Sequence, residues 1–329
     1  MSINQNLSMR KKYIITGCAG FIGSNLTNRL LQNSNNFIIG IDNFSTGKRN
    51  FIWTALKNKN FFFYKADLLD LNKLKTLFSK GDLVIHLAAN ADVQYGPIHT
   101  KKDLEQNTVA TYNVLEAMRF NKINKIIFSS TGSVYGETNK IPTPENAPFP
   151  IQTSLYGASK IACEGLITAY CDAFNMQSII FRFVSILGEN YNHGHVYDFY
   201  KQLINDAKKL TILGNGKQRK SYLYVEDCVD AILLALNKCD NKINIFNLGT
   251  DEYCELNSSV KLICETLKLK PKLKFTGGER GWIGDNPFIY LDTKKIRSLG
   301  WKPKLNIKDS IIKTVHFLKK NKWLFNKKK

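Results

Sequence analysis

Three glycines spaced three residues apart follow a short apolar run near the start of the chain. Residues 13–16 form this β-rich run, and Gly17, Gly20 and Gly23 come directly after it, where an amphipathic stretch begins. Glycine permits a tight turn and a close approach of backbone to ligand, and the first turn of a helix offers free N–H groups to a phosphate. This order of strand, turn and helix predicts a dinucleotide-binding site.

Similar short apolar runs alternate with longer amphipathic stretches over the first half of the chain, as at residues 37–41, 61–64, 83–87 and 125–128. Continuous apolar runs are typical of strands that are covered on both faces. We therefore predict an α/β fold with a Rossmann-type, doubly wound parallel sheet in an NAD-binding domain over residues 1–182. After residue 182 the alternation breaks, which predicts a smaller, mostly C-terminal substrate-binding domain over residues 183–329, with residues 222–248 folding back onto the first domain.

Charge and cysteine content exclude several classes of protein. The net charge is +20, but the lysines are scattered through every segment, so we expect an affinity for anionic ligands such as nucleotide diphosphates and no nucleic-acid partner. The seven cysteines include no C-x-x-C pair, which predicts reduced thiols without a zinc site or any other metal.

The distribution of apolar residues also bears on location. No stretch approaches the ~18 uninterrupted apolar residues of a membrane span. Residues 1–12 are polar and lack the apolar core of a signal peptide. We therefore expect a cytoplasmic protein without a membrane partner.

A tyrosine and a lysine four residues apart, Tyr156 and Lys160, carry the predicted chemistry. Positions i and i+4 share one face of a helix, so the ammonium can lie near the phenol. A nearby cation favours the phenolate and would lower the pKa of Tyr156 from about 10 toward neutrality. The pair therefore predicts a general base that acts on an alcohol or sugar hydroxyl.

A carboxylate at the end of the second predicted strand indicates which dinucleotide is bound. Asp42 follows Gly23 by nineteen residues, where it can accept both ribose hydroxyls of the adenosine and would repel a 2′-phosphate. Lys48 and Arg49 follow closely and could meet a phosphate. With Asp42 present, NAD is predicted over NADP.

Taken in order, these residues resemble the extended short-chain dehydrogenase/reductases, specifically the NAD-dependent nucleotide-sugar epimerases and dehydratases, and most of all the UDP-hexose 4-epimerases. The likeness covers nearly the whole chain, at residues 16–23, 42–47, 67–68, 86–89, 107, 129–131, 156–160, 182–183 and 219–227. It implies further contacts to the cofactor, from Phe21, Ile22, Asn43, Asp67, Leu68, Leu87, Ala88, Ala89 and Asn107 as well as from Tyr156 and Lys160.

The resemblance also implies a mechanism. Thr131 would polarise the O4 hydroxyl of a sugar, Tyr156 would take its proton, and Lys160 would hold the nicotinamide ribose. Hydride leaves C4 for NAD and returns to the opposite face of a 4-keto intermediate, so the enzyme is an isomerase that regenerates its cofactor. The substrate-side residues implied are Thr131, Ser185, Arg219, Arg280 and Asp285, although the family usually has Asn at the position of Ser185.

The two residues after Thr131 distinguish the enzymes of this family by the reaction that they catalyse. The 4,6-dehydratases carry Asp-Glu there and the UDP-glucuronate decarboxylases carry Glu second, whereas this chain has Gly132 and Ser133. A plain 4-epimerase is therefore predicted, with a dehydratase, a decarboxylase, a reductase or a non-catalytic NAD-binding protein as alternatives. The sugar and the nucleotide stay open, because Ile289 is neither the small residue that admits an N-acetyl group nor the tyrosine that excludes it.

Two predicted helices, at residues 103–120 and 157–174, have more apolar positions than a sheet-facing stripe requires. Val109, Tyr112, Leu115 and Met118 are examples from the first of them. Because family members pair these helices across a four-helix interface, we predict a homodimer.

Overall fold

The computed structural model describes residues 11–90, 93–148 and 151–326, so most of the polar N-terminal segment, residues 1–10, and the basic tail, residues 327–329, lie outside the described residues. The strands are β1 Lys11–Thr16, β2 Asn36–Asp42, β3 Phe61–Lys65, β4 Leu83–His86, β5 Lys125–Thr131, β6 Gln177–Phe183, β7 Ser185–Leu187, β8 Lys209–Ile212, β9 Arg219–Lys220, β10 Tyr222–Tyr224, β11 Ile243–Leu248, β12 Cys254–Glu255, β13 Lys272–Phe275 and β14 Phe288–Ile289. The helices are α1 Phe21–Leu30, α2 Leu71–Phe78, α3 Thr100–Asp103, α4 Ala110–Phe120, α5 Leu155–Ala173, α6 His195–Asn205, α7 Val225–Lys238, α8 Leu256–Leu267, α9 Lys294–Ser298 and α10 Ile307–Lys320.

Seven parallel strands form the central sheet, in the order β11-β6-β5-β4-β1-β2-β3. β1 lies between β2 and β4, so the chain winds outward in one direction to β3 and then crosses back to build the other half. This arrangement confirms the predicted doubly wound α/β fold. It also opens a crevice at the carboxyl ends of β1 and β4, where ligands of such sheets bind.

The continuous apolar runs are explained by burial on both faces of the sheet. Successive residues of a strand point to opposite faces. Ile15 and Ile85 accordingly belong to one core, and Ile14 and Val84 to the other. Helices α1 and α7 supply the first core, whereas α2, α4 and α5 supply the second.

The helix predicted over residues 103–120 begins earlier and is not uniform. A π-helical segment, Leu104–Val109, lies between α3 and α4. The helix predicted over residues 157–174 is α5, which begins at Leu155 because the Ser154 side chain accepts a hydrogen bond from the Gly157 N–H at 3.0 Å.

Beyond β6 the chain forms small paired elements. β7 pairs with β10, β8 with β13, and β9 lies between β12 and β14. β11 nevertheless lies beside β6 in the central sheet, and α7 is joined to α1 by a hydrogen bond from Arg29 to Asp230 at 2.8 Å. The division at residue 183, with 222–248 assigned to the first domain, is kept as a proposal. Of the helices described, none is both long enough and apolar enough to cross a membrane.

Candidate active site

The loop between β1 and α1 requires its glycines. Gly17 has a φ of +73°, and a Cβ placed there would lie 2.7 Å from the Ala88 nitrogen on the loop after β4. A Cβ on Gly23 would lie only 2.0 Å from the Gly17 carbonyl oxygen. A side chain at either position would therefore force the loop away from the helix or from the neighbouring strand.

Asp42 links this loop to the end of β2. Its two carboxylate oxygens accept hydrogen bonds from the Ala19 N–H at 3.0 Å and the Phe44 N–H at 2.8 Å. Burial raises the pKa of Asp42, while the two backbone hydrogen bonds act in the opposite direction. The carboxylate thus supports the glycine loop and also lies in the cavity described next.

A cavity of about 1150 Å³ runs along the carboxyl edge of the sheet and into the small elements beyond it. Most of the residues that the sequence analysis assigned to a site line this cavity: Gly17, Gly20, Phe21, Ile22, Gly23, Asp42, Asn43, Leu68, Leu87, Ala88, Ala89, Thr131, Tyr156, Lys160, Ser185 and Asp285. One continuous space therefore connects the glycine loop with the Tyr-Lys pair.

Two predicted cofactor contacts lie outside that space. Asp67 is exposed, accepts a hydrogen bond from the Asn43 side chain at 3.2 Å, and lines an adjoining surface depression. Asn107 is buried behind the cavity wall, in the π-helical segment, where its amide nitrogen donates to Ser159 at 2.8 Å. Asn107 thus stabilises the cavity wall from behind and does not face the cavity.

Thr131, Tyr156 and Lys160 come from two elements. Thr131 is the last residue of β5, and the other two occupy the first two turns of α5. The Lys160 ammonium donates to the Ser129 carbonyl oxygen at 2.8 Å and lies 6.0 Å from the centre of the Tyr156 ring. A hydrogen bond with Thr131 acts to lower the pKa of Tyr156. The three side chains therefore converge at one end of the cavity.

The expected low pKa of the phenol is not a property of these protein groups alone. Burial is the largest cause and raises the pKa of Tyr156, and the negative charge of Asp103 raises it further. Burial also lowers the pKa of Lys160. The effect of burial on the phenol therefore outweighs the lowering of its pKa that was predicted from the neighbouring cation.

A buried ion pair orients α5 on the sheet. Arg182 of β6 donates to Glu164 of α5 at 3.1 Å and 2.7 Å, and also to the Tyr135 hydroxyl at 2.6 Å. Glu164 in turn accepts a hydrogen bond from Ser130, the residue before Thr131. The network joins the strand that carries Thr131 to the helix that carries Tyr156 and Lys160.

Lys220, which the sequence analysis missed, supplies a cation at the far end of the cavity. Lys220 lines the cavity and donates to Asp285 at 2.7 Å. Its neighbour Arg219 is on the opposite side of β9, exposed, and stacks on Phe288 with 4.0 Å between guanidinium carbon and ring centre. Arg280 is exposed, forms an ion pair with Glu137 and donates to the Asp285 carbonyl oxygen at 2.8 Å. Neither arginine is among the residues that line the cavity, and Arg219 points away from it because alternate residues of a strand face opposite sides. Their contact with a diphosphate stays a prediction.

The segment between β7 and α6 crosses the cavity near the glycine loop and was also missed. The Asn192 side chain donates to the Thr46 carbonyl oxygen at 3.1 Å, and the Asn190 side chain donates to Ser24 of α1 at 2.9 Å. The Tyr191 ring meets Phe21 edge-on, with centroids 5.4 Å apart. Only the fold brings these residues to the loop, since they lie more than 140 positions away along the chain.

These residues fit NAD. Gly17 and Gly23 line the cavity and let the loop pack tightly against the strand end and the first turn of α1, whose N-terminus can receive a phosphate. Asp42 lies at the end of β2, where a ribose would be held. The part of the chain that the structure describes contains no group of three or more His, Cys, Asp or Glu that could hold a metal ion.

Comparison with known proteins identifies the class. A model of the NAD dependent epimerase/dehydratase family matches residues 13–249. A putative UDP-glucose 4-epimerase from Methanocaldococcus jannaschii is 34% identical over 315 residues, which span 94% of this chain and 98% of that protein. A dTDP-D-glucose 4,6-dehydratase from Dictyostelium discoideum is 31% identical, and the match spans 95% of this chain and 83% of that one.

Among solved structures, the UDP-glucuronic acid 4-epimerase from Bacillus cereus, in complex with UDP-glucuronic acid and NAD, superposes with a TM-score of 0.87. It is 28% identical, and the match covers 94% of this chain and 99% of that one. The chain belongs to the NAD dependent epimerase/dehydratase family, and its cofactor is NAD.

The glycine loop generates a testable prediction. In Gly23→Ala the new methyl group would overlap the Gly17 carbonyl, so the loop must open and the affinity for NAD should fall by at least about tenfold, a cost of ~1.4 kcal/mol. Calorimetric titration with NAD measures this. Gly165→Ala is the matched control, because a Cβ at that position of α5 meets nothing within 4 Å, and its NAD affinity should be unchanged. Equal affinities in the two variants would contradict the assignment.

Proposed function

We propose that the protein is an NAD-dependent nucleotide-sugar 4-epimerase that inverts C4 of a UDP-hexose. The observation that carries this proposal is the convergence of Thr131, Tyr156 and Lys160 on the cavity that begins at the glycine loop. The 4-epimerases among its relatives support the same reaction. Because epimerisation returns the hydride to the substrate, a single cavity that holds both the cofactor and the sugar is sufficient.

Each side chain has a role that follows from its position. NAD, when bound, supplies the hydride acceptor and a positively charged nicotinamide. Tyr156 takes the proton from the sugar O4, and its hydrogen bond with Thr131 stabilises the phenolate. Lys160, anchored on the Ser129 carbonyl, would hold the ribose next to the nicotinamide. When the ketone is reduced again, Tyr156 returns the proton.

The packing around Gly132 supports an epimerase over a dehydratase. A Cβ at this position would lie 3.1 Å from Ile289 Cγ2 and 3.4 Å from Leu291 Cδ1. Ser133 is engaged with Thr131, whose hydroxyl lies 3.2 Å from the Ser133 hydroxyl. The site therefore has no acidic side chain at these two positions and no free space at Gly132 for such a side chain. Elimination of water needs both an acid and a base.

Charge at the far end of the cavity supports a diphosphate-linked substrate. We propose that Lys220 contacts the diphosphate, with its position set by Asp285, and that Arg219 and Arg280 contribute to the positive charge around it. Ser185, at the cavity wall, would contact the sugar or its phosphate. The UDP-sugar epimerases among the relatives support uridine as the base, and the cytoplasmic location stays a prediction.

The proposed base is tested by Tyr156→Phe, which removes the hydroxyl and keeps the ring. Epimerisation should fall by about two to four orders of magnitude, as is usual when a positioned acid–base group is lost, while NAD stays bound. Turnover of UDP-glucose and UDP-galactose measures the first effect, and NAD released on denaturation measures the second. Tyr170→Phe, on the same helix, should retain its activity, and a fully active Tyr156→Phe would reject the assignment.

The reaction type is tested with a panel of nucleotide sugars. Incubated with UDP-glucose, UDP-GlcNAc or TDP-glucose, the enzyme should form only C4 epimers, because neither Gly132 nor Ser133 titrates near neutral pH. UDP-glucuronate should release no carbon dioxide. Mass spectrometry and chromatography check the products. Accumulation of a product that has lost water would support a dehydratase and leave the fold and the NAD site intact.

A homodimer is proposed from the outer faces of α4, of the π-helical segment that precedes it and of α5. Val109 is 38% and Tyr112 42% exposed, whereas Leu115 and Met118, which the sequence analysis also named, are fully buried in the core. Light scattering at micromolar concentration should give twice the chain mass. Tyr112→Glu should shift the mass toward the monomer because it places a charge in an apolar interface, whereas Leu273→Glu, an exposed position on β13, should not.

A further inference from the structure

A buried carboxylate lies behind the Tyr-Lys pair and has no part in the mechanism above. Asp103, the last residue of α3, is 1% exposed. Its Oδ1 accepts hydrogen bonds from the Asn90 side chain at 2.8 Å and the Asn107 side chain at 3.4 Å. Its Oδ2 has no hydrogen-bond partner among the residues that the structure describes. A buried carboxylate with one unpaired oxygen is costly, so its presence calls for an explanation.

Hydrogen bonds connect Asp103 to both walls of the cavity. The Asn107 side chain accepts a hydrogen bond from the Asn90 N–H at 2.8 Å. Asn90 directly follows Ala88 and Ala89, which line the cavity on the side of the glycine loop. The same Asn107 donates to the Ser159 hydroxyl at 2.8 Å. Ser159 in turn donates to the Tyr156 carbonyl oxygen at 2.8 Å.

The side chains of Asn107 and Ser159 therefore join the first turns of α5 to the Asp103 carboxylate. The π-helical segment that begins directly after Asp103 contains Asn107 and lets it reach both α5 and the wall.

The charge of Asp103 acts on the same two residues. Of the groups that face Tyr156, Asp103 on α3 and Cys163 on α5 raise its pKa, and the hydrogen bond with Thr131 on β5 lowers it. Lys160 lies on the same helix and is bonded to Ser129. Asp103 also acts to raise the pKa of Lys160, against the effect of burial.

We propose that Asp103 is a positioning residue: its carboxylate holds, through Asn107 and Ser159, the turn that carries Tyr156 and Lys160, and it places a buried negative charge behind that turn. The proposal rests on Tyr156 being the base of the proposed function. A carboxylate left unpaired on one side exerts a stronger field on its neighbours than one neutralised by a cation. Asp103 thereby keeps the ammonium charged and prevents Tyr156 from ionising before the positive nicotinamide and the sugar are in place.

The direct test is the titration of Tyr156 in the NAD-loaded protein. Tyrosinate absorbance is followed against pH for the wild type and for Asp103→Asn, each minus its own Tyr156→Phe counterpart, so that the difference reports Tyr156 alone. Asp103→Asn keeps an acceptor for Asn90 but removes the charge. The midpoint should move to lower pH by about one unit, at the lower end of the effect of a nearby like charge.

Controls separate charge from structure. Asp172→Asn, an 87% exposed carboxylate on α5 that is paired with Lys242, should leave the midpoint where it is in the wild type. Asp103→Glu keeps the charge and should restore the wild-type midpoint more closely than Asp103→Asn does. A folded Asp103→Asn protein with an unchanged or higher midpoint overturns the proposal.

Asp103→Ser gives the same test if Asp103→Asn does not fold, because it also removes the charge. The midpoint should again fall, and an unchanged midpoint counts against the proposal.

The titration needs no substrate, so its result is distinct from that of the proposed function. If the protein does not epimerise nucleotide sugars but the midpoint still falls in Asp103→Asn, the role of Asp103 stands and the reaction assignment fails. If it does epimerise them, the acid limb of kcat/KM against pH should move to lower pH by the same amount in Asp103→Asn, because loss of the negative charge favours the phenolate at lower pH. A fall in rate without any movement of this limb would indicate a merely structural role.

Discussion

The ion pair between Arg182 and Glu164 is the interaction on which the arrangement of the site depends. Both side chains are almost fully buried, at 2% and 6% exposure, so each charge needs the other. Removal of one partner from such a pair costs about 3–5 kcal/mol, because the remaining charge stays buried without compensation. A hydrophobic contact would allow α5 to slide on the sheet, whereas this bidentate pair, with Ser130 and Tyr135 as additional partners, fixes its position.

The position of α5 matters because the proposed catalytic groups come from different elements. Thr131 ends β5, Tyr156 and Lys160 begin α5, and Asp103 and Asn107 lie on the helical run that precedes β5. The change of winding direction between β1 and β4 supplies the crevice in which they meet the glycine loop. The structure therefore concentrates polar groups at one edge of a sheet whose interior is otherwise apolar. Hydrogen bonds within that edge offset the cost of burying them, except at Asp103 Oδ2.

Burial changes the chemistry that a linear motif suggests. On an isolated helix Lys160 would act on Tyr156 mainly through its charge, and the phenol would become more acidic. In the folded chain the ammonium is engaged by the Ser129 carbonyl, and the phenol has lost its water, so the pKa of Tyr156 is raised. His86, named with the family motif, shows the same effect of burial. Bonded to Thr16 and Thr111 inside the sheet, it has a pKa lowered to about 3 and serves as a neutral core residue.

The sequence alone determined the local elements and the class of ligand. The spacing of Gly17, Gly20 and Gly23 demands a turn without side chains, and continuous apolar runs demand burial on two faces, so the parallel sheet and the dinucleotide loop follow from short-range chemistry.

Only the tertiary structure decided which face each side chain presents and which distant segments meet. A shift of one residue along β9 exchanges Arg219 for Lys220 at the cavity, and no local pattern distinguishes the two. Asn190 and Asn192 reach the glycine loop, and Asp103 comes to lie behind Tyr156, only after strands and helices far apart in the chain have packed together. Charge, burial and hydrogen bonding between such segments are properties of the fold, because they depend on distances that the order of residues does not specify.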